Sequence, residues 1–172
     1  VQTCALPILR FSEEMPNLEK SRAVVVYDLP ERLNQLKVII QQGHFEAIYF
    51  KNEIAQPYYL TGFGTRDQFA KFYKTIYQFP EFDIRYKLKE LAAYLKIDPI
   101  LLIKMIQIFE ELDFVTIQDG VMQVNKKAEK KAIENSHIYQ ELKKTVKEQE
   151  LMALGTVQEI YDYLIEKDEF SN

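Results

Sequence analysis

The sequence predicts an α+β chain from three patterns in a fixed order: a β-branched run with a helix and a second apolar run over 21–50, three amphipathic helical stretches over 65–112, and an alternating segment centred on Asp119-Gly120. The first pattern predicts a partial βαβ, Rossmann-like lobe, and the second and third together predict a winged-helix-like domain. A charged linker and a C-terminal helical arm complete the chain. The expected division is an N-terminal segment and linker over 1–20, the βαβ lobe over 21–64, the winged-helix-like domain over 65–125, and linker plus helices over 126–172.

In the first lobe, AVVVY (23–27) is a continuous β-branched run, the signature of a strand buried on both faces. Asp28-Leu29-Pro30 ends it, and Pro30 stands where a helix can start. Leu33, Leu36, Ile39 and Ile40 recur at helical spacing over 31–42, and Gly43 closes that helix. FEAIYF (45–50) is the second strand, so the two strands should run parallel with a right-handed crossover. Asp28 ends a strand, where catalytic carboxylates often sit in α/β sheets. It has no second carboxylate at a fixed neighbouring position, so a cap for the 31–42 helix is its better reading.

Gly62-Phe63-Gly64-Thr65 precedes a helix but lacks the Gly-Lys-Ser/Thr ending of a phosphate loop, and reads as a turn. Thr65 caps the next helix, running to Ile76, with Gln68 as its capping-box partner. A second helix covers Phe82–Leu95, with Ile84, Leu88, Leu91, Ala92 and Leu95 on one face. Asp98 caps a third, with Pro99 in its first turn, where a missing N–H costs nothing. After Asp113 the period drops to two, and Asp119-Gly120 between alternating apolar residues is a strong hairpin signal, since its turn needs two positive φ angles. Asn125–Asn135 is charged and reads as linker. Ser136 then caps a helix to about Leu154, Gly155 breaks it, and Thr156 caps a last short helix with an acidic end at Asp162, Glu166, Asp168 and Glu169.

The composition narrows the function. Hydrophobic residues make up 47% of the 172, enough for a real core, and the 13% aromatic content favours a packed globule over disorder. A net charge of −4 argues against a protein that coats nucleic acid over its whole surface. The single cysteine excludes an internal disulfide and suits a reducing cytosol. No apolar run approaches the roughly 18–20 residues that span a bilayer, so a soluble, cytoplasmic protein with no membrane partner is expected. Residues 1–8 (VQTCALPI) resemble the in-frame translation of a common sequencing-adapter oligonucleotide. On that reading they are an assembly scar, Cys4 is foreign, and domains upstream are missing.

Charge placement bears on nucleic acid. The helix ahead of the hairpin sets Lys104 and Gln107 against Asp98, Glu110 and Glu111, and the hairpin tip is Asp119, so base readout there is disfavoured. Cations lie instead on the two preceding helices, and the candidate nucleic-acid contacts are Arg66, Lys71, Lys74, Arg85, Lys87 and Lys89. A second set follows the hairpin, from Lys126 to Lys147. The plainest reading of these cations is a solvated polar face interspersed with Glu. A module for protein contacts, or a non-specific nucleic-acid rim, fits better than sequence-specific recognition. His44 and His137 are the two histidines of the chain and read as structural or surface residues. No catalytic, cofactor-binding or metal-ligating residue is assigned.

The segments YDLP, TRDQFAKFYKTIYQFPEFDIRYKLKELAAYLKI and FEELDFVTIQDGVMQVN, taken in order, resemble the C-terminal domain of the Firmicutes-type RecJ family. The resemblance covers roughly Ser21 to Tyr139. These are bacterial, cytoplasmic, single-strand-specific 5′→3′ DNA exonucleases of recombination and repair. The resemblance implies a metal-dependent catalytic core upstream, using Mn or Mg, and makes this chain its non-catalytic C-terminal module. The implied partners are those upstream domains, single-strand-binding protein or other repair proteins, and single-stranded DNA. The alternative is a stand-alone winged-helix regulator, which would bind duplex DNA specifically as a symmetric dimer. A free-standing enzyme built on the βαβ lobe is disfavoured, because Tyr27 is followed by no Gly-rich phosphate turn and the chain has no acid/base cluster.

Overall fold

The computed structural model describes residues 8–9, 21–30, 32–42, 45–51, 54, 56–79, 81–156, 158–160 and 162–163. Cys4, Gly43, His44, Leu164 and the acidic residues from Glu166 onward lie outside the described residues. The chain is mixed α+β and divides into two compact units, one of residues 1–59 with 147–172 and one of residues 60–146.

The first unit holds a small parallel sheet. Strand β2 (Ala23–Val26) pairs with β3 (Ala47–Phe50) in parallel, from Ala23↔Ala47 to Val26↔Phe50, with helix α1 (Leu33–Gln42) between them in sequence. Val24 and Val26 are fully buried while Ala23 and Val25 are half-buried. One face is therefore sealed and the other only partly covered, short of the burial on both faces expected of the β-branched run. Sequence patterning assigned no strand to Ile8–Leu9, yet these residues form β1 and pair in parallel with Val25 and Val26. The core of this unit gathers Val24, Val26, Leu29, Leu33, Leu36 and Ile39 with Met152, which comes from the far end of the sequence. Residues 158–160 and 162–163 are helical, after a break at Gly155.

The 60–146 unit begins within the short helix α2 (Tyr58–Thr61). Helix α3 (Arg66–Gln78) starts at a complete capping box: Thr65 Oγ1 accepts from Gln68 N–H at 3.2 Å and Gln68 Oε1 accepts from Thr65 N–H at 2.8 Å. Gly64 ahead of it has φ +86°, and a Cβ there would lie 2.8 Å from Phe69 Cε2, so the turn is packed as well as left-handed.

The helix expected from Phe82 starts later. Glu81–Asp83 form strand β4, antiparallel to β6 (Val121–Val124) from Glu81↔Gln123 to Asp83↔Val121, and α4 spans Ile84–Leu95. The physical reason is the sheet. The hairpin of β5 (Val115–Gln118) and β6 leaves one edge of β6 open, and β4 covers it, giving the order β4-β6-β5. Asp83 then caps α4, accepting from Arg85 N–H at 3.0 Å.

Helix α5 (Pro99–Glu111) follows the Asp98 cap, with Pro99 at its first position. The hairpin turn at Asp119 and Gly120 has φ of +48° and +77°, as the dipeptide requires. Phe69, Phe72, Leu91, Leu102, Met105, Phe109, Val115 and Met122 are all buried in this unit. Helix α6 (His137–Leu154) begins here, and its residues from Lys147 onward belong to the other unit.

The 125–135 segment is more ordered than a linker. Asn125 N–H donates to Phe114 O and its side chain donates to Asp113 O, each near 3 Å. Lys131 Nζ meets Asp113 Oδ2 at 2.7 Å, and Ile133–Asn135 close a 3₁₀ turn.

Candidate nucleic-acid interface

The six candidate cations divide by what they already hold. Arg85 is a clamp: its Nη2 and Nε reach Asp83 Oδ2 and Oδ1 at 2.7 and 3.1 Å, and its side chain lies against Gly120 at the hairpin turn. The hydrogen bonds to Arg85 outweigh burial and hold the Asp83 carboxyl below its ordinary range. Lys71 Nζ donates to Leu95 O at 3.0 Å, which satisfies a terminal carbonyl of α4. Arg66 pairs with Glu134 at 3.3 Å but stays exposed. Lys74 on α3 and Lys87 and Lys89 on α4 are exposed, and none forms an ion pair among the described residues.

Beside Arg66 lies a groove of about 650 Å³ that charge reading did not anticipate. Its walls include Phe69, Tyr73, Phe109, Phe114 and Tyr139 from the helical body, and the 128–134 segment. The rings form one network. Phe109 stacks on Phe72 at 4.9 Å and 18°, and meets Phe114 edge-on at 5.3 Å and 88°. Tyr139 stands edge-on to Phe69 and to Phe63, with centroids 5.9 Å away in each case. Burial, reinforced by Glu134, raises the pKa of the Tyr139 hydroxyl, so it remains a protonated donor at neutral pH. The signal that could have found this region is the spacing of Ala70 and Tyr73 on the stripe of α3 that flanks the apolar stripe of Phe69, Phe72 and Ile76.

The start of helix α6, beside the groove residue Tyr139, is held by one carboxylate. Glu111, at the end of α5, accepts from the Ser136 hydroxyl, from His137 N–H at 2.9 Å and from Ile138 N–H at 3.1 Å. It thus fills the open amides at the start of α6. Burial pushes its pKa up, but these hydrogen bonds prevail and the carboxyl ends below its ordinary value.

Two comparisons identify the chain's kin. The family described as "Single-strand DNA-specific exonuclease, C terminal domain" matches residues 6–164. The chain belongs to that family. The single-stranded-DNA-specific exonuclease RecJ of Bacillus subtilis (strain 168) is 26% identical over 141 residues, which cover 82% of this chain and 18% of the RecJ sequence. No solved structure matches the chain. As a C-terminal exonuclease domain, this chain spans under a fifth of the relative's length.

Hydrolysis of a phosphodiester by two cations needs clustered Asp and His ligands. Among the described residues there is no group of three His, Cys, Asp or Glu side chains placed to hold a metal. Among the described residues no helix is long and apolar enough to cross a membrane.

Proposed function

We propose that the chain is the non-catalytic C-terminal module of a bacterial, cytoplasmic 5′–3′ exonuclease acting in recombination and repair, and that it helps position the single strand. The observation that carries this reading is the match of nearly the whole chain to the exonuclease C-terminal family, together with Lys74, Lys87 and Lys89 left exposed on α3 and α4. Arg66, Lys71 and Arg85 contribute positive potential while serving the fold. The cleaving cations, Mn or Mg, belong in this reading to the parent's upstream core.

We read residues 65–125 as winged-helix-like, supported by the order of α3, α4, α5 and the Asp119-Gly120 hairpin. The β2-α1-β3 unit is read as a partial Rossmann-like lobe, supported by its parallel pairing. Docking of a repair partner such as single-strand-binding protein is the second reading, favoured by the aromatic groove. The stand-alone regulator has less support, because Ile100 and Ile103 occupy the exposed face of α5 where base-reading cations would be needed.

Fluorescence anisotropy of labelled single-stranded and duplex DNA, titrated with the 172-residue chain over a salt series, tests the strand-positioning reading. Salt-sensitive binding that prefers the single strand is expected. Preference for duplex, or no binding at low salt, overturns it.

A further inference from the structure

One stripe of α3 carries Arg66, Ala70, Tyr73, Lys74 and Tyr77, spaced i, i+4, i+7, i+8 and i+11, so they stand on one side of the helix. Tyr73 and Tyr77 are 37% and 47% exposed, with ring centroids 5.8 Å apart. Lys126 Nζ lies 5.8 Å from the Tyr77 centroid. Tyr73 is fixed from behind, edge-on to Phe109 at 6.1 Å and to Phe114 at 6.0 Å. The stripe is about 16 Å long at the helical rise, and it alternates cations with rings.

Two neighbouring, partly exposed rings offer π-faces on which another ring can stack. The groups around them favour a polyanion over a peptide. The nearby carboxylates of Glu134 and Asp113 are already paired with Arg66 and Lys131. Lys74, Lys126, Lys127 and Lys130 are exposed, against Glu129. Unpaired bases offer π-faces that a duplex keeps inside its own stack, so a ring platform selects the single strand without reading its sequence.

We propose that this stripe is a single-strand stacking platform, with bases lying on Tyr73 and Tyr77 and phosphates met by Lys74 and Lys126. The proposal rests on the strand-positioning reading and assigns it to particular side chains. Of these four, Tyr73 also lines the groove, whereas Lys74, Tyr77 and Lys126 lie outside it.

The test is anisotropy of labelled oligothymidylate with the 172-residue chain and its variants. Tyr77→Ala is expected to weaken binding about 5- to 100-fold, the range of one lost base stack, while Tyr77→Phe retains it. Lys126→Ala should flatten the slope of log K against log salt by about 0.7. The wild-type chain should bind an abasic oligonucleotide of equal charge less tightly, and Tyr77→Ala should erase that preference. An unchanged circular dichroism spectrum for Tyr77→Ala separates lost stacking from lost fold. Strand binding that ignores these variants overturns the platform and leaves strand positioning intact. No strand binding by the wild-type chain overturns both.

Discussion

Within residues 60–146 the core is contiguous in sequence and rich in rings, with Phe72 stacked on Phe109 and Phe109 edge-on to Phe114. The other unit is completed by side chains far away in the chain. Glu148, fully buried, accepts from Arg32 Nε at 2.9 Å and Leu33 N–H at 3.2 Å, more than a hundred positions distant, and from Tyr163 OH at 3.1 Å. Gln149, also fully buried, accepts from Tyr59 N–H and donates to Gln56 O. A ring core assembled from local helices can leave one face of α3 free to carry exposed tyrosines. A core closed by a buried carboxylate is costly to change at the group that closes it, because its buried partners are left unpaired.

The largest expected effect comes from removing residues 147–172. Hydrogen exchange should then show β2, α1 and β3 losing protection while α3 and α5 keep theirs; equal loss in both units would break the contrast. Glu148→Ala is expected to destabilise its unit by about 3–5 kcal/mol, because Arg32 and the Leu33 amide lose a buried partner. Phe109→Ala should cost about 3–5 kcal/mol in the 60–146 unit through the cavity it leaves. Urea unfolding followed by exchange should assign each loss to its own unit.

Glu111→Ala leaves the Ser136 cap on Tyr139 N–H but removes the acceptor of the His137 and Ile138 amides at the start of α6, and should cost about 1–2 kcal/mol at neutral pH. The folded carboxyl titrates below its ordinary value, so its stabilisation is full above the unfolded pKa and fades as pH falls through the folded one. The urea midpoints of wild type and Glu111→Ala should therefore converge in acid; a gap that is constant with pH would show that the charge is not what matters. Thr65→Ala is the smallest change, about 1 kcal/mol, read as a shift in urea midpoint confined to α3.

These same residues mark what was legible in the sequence. Thr65 with Gln68, Asp98 with Pro99 and Asp119 with Gly120 obey rules set within a few positions, and each appears as expected. Glu148 and Gln149 sit in a charged stretch, Lys147 to Glu150, that local pattern marks as solvent-facing; only distant partners bury them. Phe82 and Asp83 directly precede the apolar spacing of α4 with no break residue between, but the open edge of β6 draws them into a strand. At the candidate interface the cations were visible as charges. Which of them were already committed, as Lys71 is to Leu95 O, depends on packing between helices. The exposed tyrosines of α3 were readable at helical spacing but carry no charge to single them out.

Photocrosslinking a bromodeoxyuridine-substituted single strand to the 172-residue chain, with the crosslinked peptides identified by mass spectrometry, tests most directly whether the 60–146 unit carries the strand. The expected crosslinks fall on Tyr73 and Tyr77. Crosslinks confined to residues 21–54, from a complex that demonstrably forms, would contradict the account.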